Sequence, residues 1–213
     1  MADILLDTQT QPSTPSASTA AIFIDSTAKI LCCRDDAGKV SAFSTNAATA
    51  AQTPAASDVY IINSNILIPS FSMQAKSIFR WQISASKTGA GTAAPVYTFR
   101  IGTGLSTSDT SRLALTGPAQ TAIADIATLN LLITCRSVGA SGVIQGTAWW
   151  DHRGTAASST IGVGFANDGT GHVEGTSAGF DNSALGGSSI GLSINSGASA
   201  AWTITQVIAE ASW

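Results

Sequence analysis

One segment, residues 79–103, limits the fold more than any other part of the sequence. It reads FRWQISASKTGAGTAAPVYTFRIGT, and polar and apolar residues alternate on both sides of a stretch rich in Gly, Ala and Pro. The apolar positions are Phe79, Trp81 and Ile83 before that stretch and Tyr97, Phe99 and Ile101 after it. Such alternation is typical of half-buried antiparallel strands. The segment therefore predicts two strands, 78–84 and 96–102, around a turn, in sheets that keep one face in water.

The composition favours a surface that packs against copies of itself. The chain of 213 residues is long enough for one large β domain or for a domain with an arm. Charged residues make up only 11% of the chain, against about 25% in ordinary soluble domains. Small and hydroxyl-bearing residues take their place, so neighbouring copies would repel one another weakly. The alternative is a plain β domain with a Ser- and Thr-rich exterior.

The charge and hydropathy patterns predict neither a nucleic-acid partner nor a membrane span. The net charge is −3, and the Lys and Arg residues are scattered, whereas a nucleic-acid site needs a basic stripe. No apolar run approaches the roughly 20 residues of a membrane helix. The N-terminal sequence MADILLDTQTQ holds Asp3 and Asp7 and no basic residue, which is not the pattern of a signal peptide.

The cysteines are predicted to be free thiols. Cys32 and Cys33 are adjacent on a predicted strand, so their side chains point to opposite faces. The third, Cys135, has no neighbour with zinc-binding spacing. Free thiols fit a protein that folds in a reducing cytosol.

Residues 1–45 are predicted to form an arm followed by a small meander. The first 20 residues hold Pro12, Pro15 and many hydroxyls, which favour either a disordered tail or an arm that becomes ordered on a partner. The stretches AIFID, ILCCR and VSAF predict three strands, with turns at STAK and DDAGK. A meander of this size rarely stands alone, so it is predicted to pack against another copy or another protein. Residues 46–57, NAATAAQTPAAS, predict a linker.

Residues 58–213 predict an all-β domain. About ten short apolar or alternating stretches are separated by Gly-, Pro- and Asn-rich turns, a spacing that suits a β-sandwich or barrel. The length fits a jelly roll of about eight strands with additions. A helical turn over residues 119–127 is the one helical alternative, and its brevity argues against it.

The stretch Trp149-Trp150-Asp151-His152-Arg153 is the densest cluster with functional character. On a strand, Trp149, Asp151 and Arg153 share one face, and Trp150 and His152 share the other. A carboxylate and a guanidinium beside an exposed indole would suit a sugar or a peptide. The alternative is one Trp in the core and the other face at a subunit contact.

Other patterns carry no predicted chemistry. Residues 187–191 match the hydrolase pattern GxSxG, but no His follows and the next segment is a strand. Residues 167–172, NDGTGH, suit a hairpin turn better than a calcium loop. No catalytic residue, metal site or cofactor is predicted.

The sequence resembles a domain of virion structural proteins from tailed bacteriophages and prophages. The resemblance covers about residues 57–213. It is carried by FRWQISASKTGAGTAAPVYTFRIGT, by TSDTSRLALT, and by SGASAAWTITQVIAEA. The N-terminal stretch IFIDSTAKILCCRDDAGKV resembles the short attachment modules that precede such domains.

This resemblance implies a non-enzymatic, jelly-roll-like domain, commonly trimeric, on the surface of a capsid or tail. The chain would be made in the host cytoplasm and join the virion, at the capsid surface in preference to the tail. Its partners would be its own copies and the major capsid protein or another virion protein. Apolar residues of the N-terminal module are the candidates for particle attachment: Ile22, Phe23, Ile24, Ile30, Leu31, Val40 and Phe43.

Two alternatives remain at this point. A host-binding protein of the tail or a vertex would present Trp149 or Trp150 to a host surface glycan or protein. A glycan hydrolase is disfavoured because such enzymes use a pair of carboxylates, and Glu174 and Glu210 have no acidic neighbours in sequence.

Overall fold

The computed structural model describes residues 8–48, 50–152, 165–166, 172–197 and 201–213, and within them every regular element is a strand. The first seven strands are β1 Thr8–Gln9, β2 Ala20–Asp25, β3 Leu31–Asp35, β4 Val40–Ala48, β5 Val59–Tyr60, β6 Ile66–Leu67 and β7 Ile78–Lys87. The others are β8 Val96–Gly102, β9 Thr110–Thr116, β10 Asp125–Ser137, β11 Val143–His152, β12 Val173–Thr176, β13 Ser189–Asn195 and β14 Trp202–Ser212.

The strands form two sheets with jelly-roll connectivity. The large sheet has the order β1-β2-β3-β4-β14-β7-β10-β11-β12, and the small sheet has the order β5-β13-β8-β9, with β6 also pairing β13. A jelly roll packs two four-stranded sheets in which late strands lie between early ones. Here β14 lies between β4 and β7, and β13 lies between β5 and β8. The predicted all-β sandwich is confirmed, and β1–β3 and β11–β12 extend its large sheet on both sides.

The two strands of residues 79–103 form as predicted, but they lie in different sheets. β8 has the predicted bounds, and β7 is longer by three residues. Both turn their large apolar side chains into the core between the sheets. Residues 88–95 therefore cross from one sheet to the other instead of closing a hairpin.

Lys87 connects this crossover to the loop before β10 through hydrogen bonds. Its ammonium group donates to the carbonyls of Thr121 at 2.7 Å and Ile123 at 2.9 Å. Residues 119–124 are irregular and β10 begins at Asp125, so no helical turn forms over 119–127. Burial lowers the pKa of Lys87, and the nearby Asp125 carboxylate opposes that shift.

The core is built from aromatic side chains contributed by both sheets. Trp81 lies 5.3 Å from Phe99 across the sandwich, measured between ring centroids. At one end of the core, Trp150 stacks on Phe165 at 4.0 Å, and Trp202 meets Trp150 edge-on at 5.3 Å. The apolar residues that alternate along the strands therefore meet in one continuous interior.

The N-terminal meander forms as predicted and continues directly into the large sheet. β4 runs from Val40 to Ala48 and pairs with β14 over residues 43–48. The stretch predicted as a linker, 46–57, thus begins inside a strand that belongs to the jelly roll. A small second core of Phe23, Cys32 and Val40 touches Phe71 of the main domain, so the packing partner of the meander is its own chain.

Residues 8–19 lie against the same meander. β1 pairs in parallel with β2, the Arg34 guanidinium donates to the carbonyl of Pro12, and the backbone N–H of Ser18 donates to Asp36 at 2.6 Å. This part of the N-terminus is therefore ordered by contacts within the chain.

Asp25 ties the meander to the main domain. One carboxylate oxygen accepts the backbone N–H groups of Thr27 and Ala28 at 2.9 and 2.7 Å, and the other accepts the N–H of Ser70 at 3.1 Å and its hydroxyl. Burial raises the pKa of Asp25, but these hydrogen bonds outweigh burial and hold the pKa below its ordinary value of 3.8.

We expect Asp25→Asn to destabilise the protein at neutral pH and to matter less in acid. An amide at this position would present N–H groups to the N–H and hydroxyl of Ser70. Because the pKa of Asp25 is lowered on folding, its contribution is present above the unfolded pKa and is lost as the pH falls through the folded pKa. Thermal melting of both proteins from pH 7 to pH 2 should show two curves that converge below about pH 4. A gap that stays constant across this range would contradict the assignment.

Candidate functional site

The candidate site lies on the outer face of the large sheet, the face turned away from the core. Alternation places every second residue of each strand on this face. Near its centre the outer face presents Arg80 and Gln82 from β7, Asn130 and Leu132 from β10, Trp149 from β11, and Ile208 and Glu210 from β14. None of these side chains is fully buried.

Two depressions lie side by side on the outer face. The first has a volume of about 420 Å³ and is lined by the residues just named. The second has a volume of about 300 Å³ and is lined by Phe43, Ile78 and Ser212. Both are also lined by Arg80 and Glu210. We call the two depressions together the outer groove.

Strand register fixes the floor of the outer groove. Arg80 lies opposite Glu210 in the pairing of β7 with β14. Gln82 lies opposite Asn130, and Asn130 lies opposite Trp149, in the two pairings of β10. A guanidinium, a carboxylate, two amides and an indole therefore sit on adjacent strands of one surface.

Most of these polar side chains have no partner within the described parts of the chain. The amide of Asn130 donates to the Asp151 carboxylate at 2.7 Å. Arg80, Gln82 and Glu210 form no side-chain hydrogen bond or ion pair with any described residue. The outer groove thus offers both donors and acceptors to a molecule that would enter it.

The structure separates the two predicted tryptophans. Trp149 is half-buried on the outer face, as the alternation predicted. Trp150 is in the core, where its indole N–H donates to the Tyr97 hydroxyl at 2.9 Å. Asp151 is exposed at the rim of the outer groove, and Arg153, the other member of the predicted carboxylate–guanidinium pair, lies outside the described residues.

The candidate attachment residues divide between the small core and the surface. Phe23 and Val40 are buried inside the meander, at 1% and 0% exposure. Ile22, Leu31 and Phe43 remain 62%, 59% and 59% exposed. Ile24 and Ile30 are partly buried. The three exposed side chains are the members of the set that this chain leaves open to contact.

The residues that carry the resemblance to virion proteins hold the fold together. Asp109, in TSDTSR, accepts the backbone N–H of Gly104 at 2.9 Å, and a Cβ on Gly102 would lie 2.2 Å from its carboxylate. Arg100 donates to the carbonyl of Asp109 at 2.7 Å. Lys87 holds the crossover of residues 88–95 against the loop before β10. In the described residues, these motif side chains hold loops and strand ends of the scaffold in place.

The remaining sequence patterns also have structural settings. Ser189 of the GxSxG match begins the buried strand β13, whereas a hydrolase nucleophile occupies a strand-to-helix elbow. Residues 167–171 of the predicted hairpin turn lie outside the described residues, and His172 lies 3.9 Å from the Glu174 carboxylate. Among the residues that the structure describes, no three His, Cys, Asp or Glu side chains converge on a point where a metal could bind.

Comparison with known proteins assigns this chain to no family. The sequence matches no protein-family model, and no curated protein is significantly similar to it. The described residues also contain no helix of the length and apolar character required to cross a membrane.

Sequence reasoning found Trp149 and Asp151 but missed Arg80, Gln82, Asn130 and Glu210. Each of these four occupies an outward position on an alternating strand, which is visible in the sequence. Their proximity follows from the order β14-β7-β10-β11, which the sequence alone does not provide.

Proposed function

We propose that this chain is a non-enzymatic structural protein of a phage virion, a homotrimeric decoration or cement protein of the capsid attached through its N-terminal module. The observation that carries this proposal is the continuous sheet that joins a jelly roll to a meander with exposed apolar residues. Ile22 on β2, Leu31 on β3 and Phe43 on β4 are each more than half exposed. Apolar side chains grouped in this way mark a surface that a partner covers.

The charge-poor surface supports assembly into many close copies. Only 11% of the residues are charged, so copies set side by side on a particle meet little repulsion. Many weak contacts, one from each copy, would together reinforce the shell by avidity. The proposal of a trimer rests on the resemblance and on this surface.

The first test is the copy number of this chain relative to the major capsid protein in purified particles. Quantitative mass spectrometry is expected to find hundreds of copies, as a protein that covers the capsid requires. Light scattering of the purified chain is expected to give the mass of a trimer. A handful of copies in a multiple of three or six would place the chain at the tail or a vertex, and absence from particles would reject a virion role.

Two matched variants test attachment through the meander. Leu31→Ser should lower the copy number in particles without unfolding the chain, because Leu31 is 59% exposed. Ile62→Ser is the control, because Ile62 is 63% exposed but lies beside the small sheet. Equal loss of both variants from particles would contradict attachment through the meander.

A second candidate function is host-surface binding from the tail or a vertex. The observation that favours it is the outer groove, with the half-buried Trp149 at one end and unpaired polar side chains along its floor. Under this alternative, substitution of Trp149 would abolish adsorption and leave particles intact. Loss of the trimer on the same substitution would instead identify the outer face as a subunit contact.

A further inference from the structure

We propose that the outer groove binds a linear, neutral oligosaccharide between Trp149 and Phe43. This inference rests on the second candidate function and specifies its site and ligand class.

The shape of the outer groove fits an elongated ligand. Trp149 is on β11 and Phe43 is on β4, and the strands between them are β10, β7 and β14. Four strand spacings of about 4.8 Å give roughly 19 Å across the sheet. Ala47 is the β4 residue in register with Trp149, and Phe43 lies four residues further along β4, so the two positions are about 23 Å apart on a diagonal. The larger depression, at about 420 Å³, falls within the range of small-molecule sites. Several linked sugar units would follow such a path, whereas a single sugar would fill part of it.

The aromatic residues at the two ends suit sugar rings. Sugars carry flat faces of C–H groups that pack against the face of an indole or phenyl ring. Trp149 is half-buried, which fixes the ring while leaving one side open, and Phe43 is 59% exposed. An aromatic side chain holds such a contact at a low cost in conformational entropy because few of its bonds rotate.

The polar side chains between the rings suit hydroxyl groups. A hydroxyl both donates and accepts a hydrogen bond, and the amides of Gln82 and Asn130 do the same. Arg80 supplies donors only and Glu210 supplies acceptors only. Because a sugar carries hydroxyls that serve in either role, it can satisfy this mixed set.

The charges of the outer groove favour a neutral ligand. Arg80 and Glu210 face each other at its centre, and their charges cancel there. Asp151 adds a negative charge at the rim. A phosphate or a carboxylate would be repelled by the two carboxylates and attracted by a single guanidinium. A polyanion would therefore gain little electrostatic binding free energy in the outer groove.

The same charges argue against a second copy as the occupant. The centres of protein–protein interfaces are depleted of Glu and Asp. In the outer groove, the charged Arg80 and Glu210 lie at the centre beside the apolar Ile208. The centre therefore carries the charges that protein–protein interface cores avoid.

The test measures binding of cellohexaose, chitohexaose and maltohexaose to the whole 213-residue chain. Titration calorimetry and tryptophan fluorescence report the binding. At least one hexasaccharide is expected to bind with a submillimolar Kd. Trp149→Ala should weaken that binding by about tenfold or more. Gln82→Ala should weaken it several-fold, and because Gln82 is exposed and unpaired, its fold is expected to be unchanged. Ile62→Ala, at an exposed site beside the small sheet and away from the outer groove, should bind as the unchanged chain does.

Three outcomes would overturn the inference. The first is no binding of any of the three sugars at millimolar concentration. The second is binding that Trp149→Ala and Gln82→Ala leave unchanged. The third is dissociation of the oligomer by these variants with no effect on sugar binding, which would make the outer face a subunit contact. Copy number in particles is measured separately, so failure of the virion role and failure of sugar binding are distinguishable.

Discussion

A chain that stops at Gln206 is expected not to fold. The truncation removes Val207–Trp213, and within this stretch Val207 and Ala209 are fully buried and Trp213 is 5% exposed. Burial of one large apolar side chain contributes about 1.5–3 kcal/mol, and whole domains are stable by only about 5–15 kcal/mol. The truncation also removes every pairing of β14 with β4, so the meander loses its strand pairing with the jelly roll.

Solubility, circular dichroism and thermal melting measure this effect. The matched control is Ile208→Ser in the full chain, because Ile208 lies in the removed stretch but faces the outer groove. It should remain folded and lose no more than about 1 kcal/mol. A truncated chain that stays soluble with an unchanged melting temperature would refute the role assigned to β14.

Arg100→Met is expected to destabilise the protein by about 3 kcal/mol. The Arg100 guanidinium pairs with the Asp58 carboxylate and donates to the Ser193 hydroxyl at 2.8 Å. Its side chain is 14% exposed and that of Asp58 is 28% exposed. Removal of the guanidinium leaves the Asp109 carbonyl without its donor and the Asp58 carboxylate without its cationic partner, with only the Ser193 hydroxyl at 3.0 Å still donating to it. The expected loss in the free energy of unfolding lies at the low end of the range for buried ion pairs, because water still reaches Asp58.

Denaturant unfolding of three variants separates this ion pair from a general effect of lost charge. Arg136→Met is the matched control, because Arg136 is exposed and its guanidinium donates to the Gln145 side chain at 3.2 Å on the protein surface. It should shift stability by less than about 0.5 kcal/mol. The double variant Arg100→Met with Asp58→Leu should recover part of the loss, since it removes the unpaired carboxylate. Equal stability of Arg100→Met and Arg136→Met would show that the pair contributes nothing.

Local alternation was enough to predict most strands of this fold. β7, β8, β10, β13 and β14 each bury every second side chain or lie wholly in the core. The turn chemistry of Asp36-Ala37-Gly38 likewise predicted the second turn of the meander, where Gly38 adopts a φ of 84°. These features depend on neighbours in sequence, which is why sequence reasoning reaches them.

Pairings between distant segments were beyond that reasoning. Nothing local in residues 43–48 indicates that they lie beside residues 207–212, so the sequence favoured a separate meander and a linker. The short strand β12 has only four residues and a weak pattern. Arg80 and Glu210 are far apart in sequence, and they line one groove only because β14 lies beside β7. The site therefore depends on topology more than on any motif.

The position of β14 between β4 and β7 also governs the order of events during synthesis. β4 and β7 leave the ribosome early, but the strand that joins them is made only after β8–β13. Until then both strands present unpaired backbone edges, and such edges promote aggregation. Because strand pairings between distant segments slow folding, the large sheet closes late, and copies of the nascent chain can meet through these edges before it does.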